Sequence, residues 1–222
     1  MTHPISERTT VRRYSHRAAY DRATIDAILD EGVVCHVGLL TDQGYPLVIP
    51  LAYGRQGDVI YLHGSAASRL FRGARTPGRE ICVCVTLVDG LVVARSVYNT
   101  DINYRSVVLI GEATEVTDLN EKRQCLDALV DCIIPGRTAD ARGPTVKELK
   151  ATMLLRLPIR EASAKIRRGW PEDNEEDYEL PIWAGVTPIR TLFEPPRPDP
   201  RLTEGHCVPW YLTPYTRPGT TR

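Results

Sequence analysis

The feature that most constrains this chain is a series of short apolar runs separated by turns too short to hold a crossover helix. Val33–Thr41 (VVCHVGLLT) closes on Asp42-Gln43-Gly44. Pro46–Tyr53 (PLVIPLAY) returns, and Gly54-Arg55-Gln56-Gly57-Asp58 turns again before Val59–His63. Runs joined this tightly pair as antiparallel neighbours. Pro50 cannot donate to a ladder, so its strand is expected to bend or lie at an edge there. Glu80–Val88 (EICVCVTLV) is almost continuously apolar, as a strand buried on both faces would be. Asp89-Gly90 then predicts a hairpin, with Leu91–Val97 pairing back. Tyr98–Tyr104 reads as a loop, Arg105–Val116 as a strand with a bend or bulge at Gly111, and Met153–Ile159 as the final strand.

Helices are few in this reading. Asp21–Glu31 is a short one, capped by Asp21 and ended by Gly32, with Ile25, Ile28 and Leu29 on one face. Ala66–Ala74 predicts another. Asp118–Ile134 is the clearest: Asp118 and Glu121 suggest a capping box, and Leu126, Leu129, Val130 and Ile133 form a stripe. Thr145 and Glu148 suggest a second box. About six or seven short strands with helices as plugs indicate a mainly β, antiparallel barrel with peripheral helices. The expected organisation is an arm over 1–20, a barrel domain over 21–190, and an extended proline-rich tail over 191–222.

Composition narrows the function classes. Twenty-eight basic residues balance 28 acidic ones, which argues against a general nucleic-acid binder. The six cysteines form no CxxC and no zinc spacing; Cys82 and Cys84 share one strand face and are expected to pack. Scattered free thiols point to a reducing compartment. The beginning, MTHPISERTTVRRY, lacks a signal peptide's apolar core, and no run is long enough to span a bilayer. A cytoplasmic protein without membrane partners is expected.

One stretch carries chemistry. Asp58–Arg69 (DVIYLHGSAASR) passes from an apolar strand through His63-Gly64 into small and hydroxylated residues. Ser65 can cap a following helix, and Arg69 about one turn on can add a full charge, so the pattern suits a phosphate. It is neither a Walker loop nor GxGxxG. By spacing alone, a strand-to-helix turn with a solvated arginine explains it as well.

Taken together, VIPLAYG, DVIYLHGSAASR, ICVCVTLVDGLVVARS and NYRSVVLIGEA resemble the FMN-binding split barrel, the superfamily of pyridoxamine 5′-phosphate oxidase. The later EASAKIRRGWPEDNEEDYELPIWAGVTP is similar to its flavin-nucleotide-binding branch, which includes the nitroimidazole-resistance proteins. The likeness covers about residues 20–190. It implies a homodimer with flavin sites at the subunit interface. By carry-over, Ile49, Pro50, Leu51, Ala52 and Tyr53 lie along the flavin ring through their backbone. His63, Ser65, Ser68 and Arg69 surround the ring edge and phosphate, and Val85 and Thr86 flank the cofactor. Lys165, Arg167 and Trp183 close the site. Arg105 and Ser106 are further phosphate candidates, with a surface ion pair as their plainer role.

The implied activity is a flavin-dependent oxidoreductase on a small organic substrate, within a range that includes nitro-group reduction and amine oxidation. FMN is the expected flavin; FAD and F420 are not separated by residue type. His63 is the candidate for catalytic proton transfer, against the alternative of a satisfied core histidine. The branch often carries histidines before NYRSV, and this chain reads Tyr98-Asn99-Thr100-Asp101-Ile102 there. Haem b, instead of or beside a flavin, is therefore the second expectation, with His63 or His36 as internal axial ligand and no other metal. A flavin-binding sensor or carrier without turnover is the third. The acidic run 172–177 is expected to be a solvated loop, and Trp183 either lids the pocket or anchors the tail.

Overall fold

The computed structural model describes residues 6–203, 205–213 and 215; the rest of the arm and tail readings lie outside these. The strands are β1 (Ala18–Ala19), β2 (Val34–Leu40), β3 (Pro46–Gln56), β4 (Val59–Ser65), β5 (Glu80–Val93), β6 (Asp101–Glu112), β7 (Thr114–Glu115), β8 (Thr152–Pro158), β9 (Glu161–Arg167) and β10 (Gly185–Pro188). The helices are α1 (Arg22–Glu31), α2 (Arg69–Ala74), α3 (Leu119–Ile133) and α4 (Val146–Ala151). One sheet runs β1-β9-β6-β5-β2-β3-β4-β8-β7, with β10 pairing β5 off this path. Every pairing is antiparallel, as the short connections require.

The sheet curls around a main apolar core, and a second, smaller cluster gathers Val116, Cys125 and Leu154. Alternation along β2 and β5 sends Cys35, Val37, Val83 and Val85 inward, and α1 and α2 add Ile25, Ile28, Leu29, Leu70 and Phe71. The inner faces of β6 and β8 meet so closely that a Cβ on Gly111 would lie 3.2 Å from Leu157 Cδ1. This is the split barrel with peripheral helices.

Several elements differ from the sequence reading. β3 continues through Gln56, and the turn to β4 is only Gly57-Asp58, with Gly57 at φ +57°. Asp89-Gly90 is not a hairpin: β5 passes straight through it, with its register against β6 shifting between Val88 and Gly90. Gly90 serves instead for close approach, because a Cβ there would stand 3.0 Å from Thr187 O in β10. The bulge thus falls in β5, while β6 keeps register through Gly111. β6 starts at Asp101, earlier than the loop reading allowed, and Met153–Ile159 is followed by two more strands. β9 was hidden by its polar, alanine-rich sequence; its Ala162, Ser163 and Ala164 are buried beside β6 and under β1.

Caps explain the helix starts. The Asp21 carboxylate accepts from Thr24 N at 2.9 Å, which lowers its pKa, and Gly32 follows α1. The Asp118 carboxylate accepts from Asn120 and Glu121 N at the start of α3, whose buried side chains are Lys122, Cys125 and Leu129 rather than the full expected stripe. Thr145 and Glu148 form a complete capping box. The arm packs: Arg8 pairs with Glu80 and Glu161, and the Tyr20 hydroxyl accepts from Val11 N. The acidic run is also partly buried, since the Asp173 side chain is 0% exposed and pairs with Arg95.

Candidate functional site

The β4–α2 corner brings several candidates together. Ile60 and Leu62 point into the core, so Tyr61 and His63 point to the other side of β4. At Gly64 a side chain would overlap the Phe71 ring, so α2 packs directly on bare backbone there. The Ser65 hydroxyl accepts from Ala67 N at 3.2 Å, and Ser68 N donates to Ser65 O at 2.9 Å. Ser65 therefore shapes a turn instead of capping α2. The cap position is Ser68, whose side chain makes no capping bond, and Arg69 is the first helical residue, not one turn in.

Arg69 is exposed, and its Nη1 donates to the Tyr45 hydroxyl at 3.3 Å. It has no carboxylate partner among the described residues, so its guanidinium remains available to an anion. Tyr45 was missed by sequence reasoning, because a loop tyrosine carries no local signal. His63 is half-buried, and its Nδ1 has no hydrogen-bond partner. Burial lowers its pKa, so the imidazole is neutral at pH 7. A neutral ring with an unfilled buried nitrogen is suited to hold or pass a proton.

The second region is the outward face of the large sheet. Pairing places Pro50, His36, Cys84 and Val108 in one row across β3, β2, β5 and β6. Val48, Gly38, Cys82 and Ile110 form the next row. His36 and Cys82 are exposed, so His36 is not internal and the two strand cysteines do not pack in the core. Val34, Leu40 and Val48 are also bare, and a groove of about 350 Å³ runs between Leu40, Val48, Cys82 and Ile110.

Alternation divides the expected flavin contacts. Pro50 and Ala52 sit on the outward rows, whereas Ile49 and Leu51 pack on the core. Tyr53 is 1% exposed, and its hydroxyl donates to Leu29 O at 2.5 Å. A Cβ on Gly32 would lie 2.6 Å from both that hydroxyl and Val85 Cγ1. Tyr53 and Val85 are therefore core side chains with only backbone to offer a ligand. Thr86, Ser106 and Lys165 share an outward row that ends at Ala18 of β1.

Two expected cations are already engaged. Arg105 points inward and is held between carboxylates: Nε donates to Asp89 at 2.8 Å, and its two terminal nitrogens bond Glu31 and Asp89. These bonds raise its pKa and occupy the fork a phosphate would need. Arg105 and Ser106, being adjacent on a strand, face opposite ways. Arg167 is 4% exposed, pairs with Asp101 at 2.8 Å and donates to Asn103 Oδ1 at 2.6 Å. Trp183 is 67% exposed, with its ring over Gly185.

Residues 21–166 match the family model described as pyridoxamine 5′-phosphate oxidase. Among solved structures, the flavocytochrome Anf3 from Azotobacter vinelandii is 44% identical with a TM-score of 0.90, covering 96% of this chain and 98% of that one. The FAD and heme binding protein from Mycobacterium smegmatis is 37% identical with a TM-score of 0.86, covering 92% and 100%. A nitroimidazole antibiotic resistance protein from Bacteroides thetaiotaomicron shares the fold at 20% identity and a TM-score of 0.57, covering 67% and 86%. No curated protein matches. With the barrel, the strand order and the matched span in agreement, this chain belongs to the pyridoxamine 5′-phosphate oxidase family of split barrels.

Proposed function

We propose that this chain is a flavin- and haem-binding redox protein, an oxidoreductase that works as a homodimer on a small organic substrate. The observation that carries this reading is the likeness, over 96% and 92% of the chain, to a flavocytochrome and to a FAD and heme binding protein. We take the flavin to be FAD, as in the second of these, with FMN as the alternative. When bound, the flavin supplies hydride chemistry and the haem supplies one-electron chemistry.

The residues present suit a flavin. Arg69, with no carboxylate partner among the described residues, and the Tyr45 hydroxyl beside it would form a phosphate station with Ser65 and Ser68. Pro50 and Ala52 offer outward backbone to a planar ring. The buried, unpartnered Nδ1 of His63 is a polar atom that a bound group would satisfy, and from it a proton can be taken or given. The exposed apolar rows through Val48 and Leu40 suit a second copy of the chain, which would exclude water from the ring.

Equilibrium titration tests this. Cofactor-stripped protein is expected to quench FAD fluorescence saturably and to take up haemin with a sharp Soret band. Arg69→Gln is expected to weaken flavin binding at least tenfold, since a charge-assisted hydrogen bond is worth about 1.5–3 kcal/mol. Failure to bind either flavin saturably would overturn the reading.

A further inference from the structure

The N-terminal arm gathers positive charge around one tyrosine. The arm is tied down at both ends, by Arg8 on Glu161 and by β1 on β9. Between these ties, Tyr14 adopts φ 53°, the only left-handed non-glycine conformation among the described residues. Three cations stand over its ring: Arg17 Cζ lies 4.3 Å, Arg13 Cζ 5.2 Å and Lys165 Nζ 6.0 Å from the centre. Two come from the arm and the third from β9, so segments far apart in sequence bring like charges to one place.

This charge is poorly compensated. The Arg17 side chain is only 11% exposed, yet its carboxylate partner, Glu172 at 3.7 Å, is 73% exposed. Its guanidinium has given up most of its water without a close partner in return. Arg13 and Lys165 have no carboxylate among the described residues, in contrast to Arg8, Arg55 and Arg105. A tyrosine face offsets only part of the repulsion among three cations, so the cluster favours an anion.

The surroundings narrow the class of anion. Lys165 shares an outward row with Ser106 and Thr86, which adds hydroxyls beside the cations. Tyr98 lies near enough to Arg13 to help raise its pKa, after the larger effect of the hydrogen bond and charge of Tyr14. The Tyr98 ring is 88% exposed, but its loop is braced. Ala94 N donates to the Thr100 hydroxyl, Asn99 N donates to the Ser96 hydroxyl, and Arg95 is held by buried Asp173. An aromatic ring presented on a firm loop can stack on a planar base. Cations, hydroxyls and a stacking ring together match the phosphates and base of a nucleotide.

We infer that the arm is a nucleotide-phosphate station: Arg13, Arg17 and Lys165 hold the phosphates, and Tyr98 stacks on the base. It is distinct from the Arg69 corner, which is built by β4 and α2 rather than by the arm and β9. The same chemistry has two sources, the adenylate half of FAD or a second, separate nucleotide. The first rests on the flavin part of the proposed function; the second stands without it.

Calorimetric titration of the full chain tests this, with ADP added to protein with and without flavin, and FAD compared with FMN on stripped protein. Wild type is expected to bind ADP saturably, or to bind FAD at least about tenfold more tightly than FMN. The Arg13→Gln/Lys165→Met double variant is expected to weaken that binding at least about tenfold, as loss of charge-assisted hydrogen bonds does. Tyr98→Ala, an exposed change that spares the fold, is expected to weaken it severalfold. Arg12→Gln removes an arm cation paired with Glu7, outside the cluster, and is expected to keep wild-type values. Loss of ADP binding with unchanged flavin affinity would identify a second nucleotide; loss of the preference for FAD would identify the adenylate half. Wild-type values in both the double variant and Tyr98→Ala would overturn the inference, as would a wild type that shows neither binding. A protein that binds ADP here but no flavin would overturn the proposed function and leave the station standing.

Discussion

Arg69 and Arg105 carry the same guanidinium into opposite surroundings. Arg105 is enclosed by Asp89 and Glu31, tying α1 and the β5 bulge to β6. Among the described residues, Arg69 reaches only a tyrosine hydroxyl. Glu31→Gln is expected to lower stability by about 1–3 kcal/mol, because it leaves a largely buried guanidinium short of charge. Arg69→Gln should shift stability by no more than about 0.5 kcal/mol, as exposed substitutions usually do. Thermal unfolding separates the two. His63 gives a pH signature. Its folded pKa lies below the unfolded value of 6.5, so the unfolded chain binds the extra proton first on acidification. The stability linked to its neutral form is therefore complete above pH 6.5 and declines as pH falls through it. Wild type should lose more stability than His63→Gln between pH 7 and pH 5 in urea unfolding; equal losses would contradict the buried neutral ring. His63 and Arg69 were legible because glycine and hydroxyls mark their turn in the sequence. Arg105's carboxylates and Tyr45 were not, because only the tertiary fold brings residues 31, 89 and 105, or 45 and 69, together.

The hairpin ladder β2-β3-β4 was readable from apolar runs and turn residues. β5 was not, because Asp-Gly signals a turn by its local freedom, and here that freedom lets β10 come close instead. β9 was missed because small residues packed under the arm carry no hydrophobic period. The β4–α2 corner depends on a bare Gly64 beneath Phe71. Gly64→Ala should overpack this joint and cost about 1–3 kcal/mol. It should also weaken flavin binding, because the same joint sets where Ser68 and Arg69 stand. Unfolding and flavin titration of that one variant check both effects; a stable variant with wild-type flavin affinity would separate the corner from the site.

Over the whole molecule, the barrel buries one face of its main sheet, and the other face carries exposed apolar side chains beside His36, Thr86, Ser106 and Lys165. Leu40 is 62% and Val48 60% exposed, and such a face suits a second copy of the chain. Light scattering of Val48→Asp is expected to show a monomer with reduced flavin affinity beside a dimeric wild type. A monomeric wild type that binds flavin fully would refute that arrangement. The same molecule presents, at the β4–α2 corner, an arginine with no carboxylate partner among the described residues, and the proposed function sets a flavin there beside a haem elsewhere. The visible absorption spectrum of the freshly purified protein, repeated after incubation with FAD and haemin, tests that pairing most directly. The account predicts flavin bands together with a sharp Soret band on the same gel-filtration peak. A protein that stays colourless after both additions would contradict it.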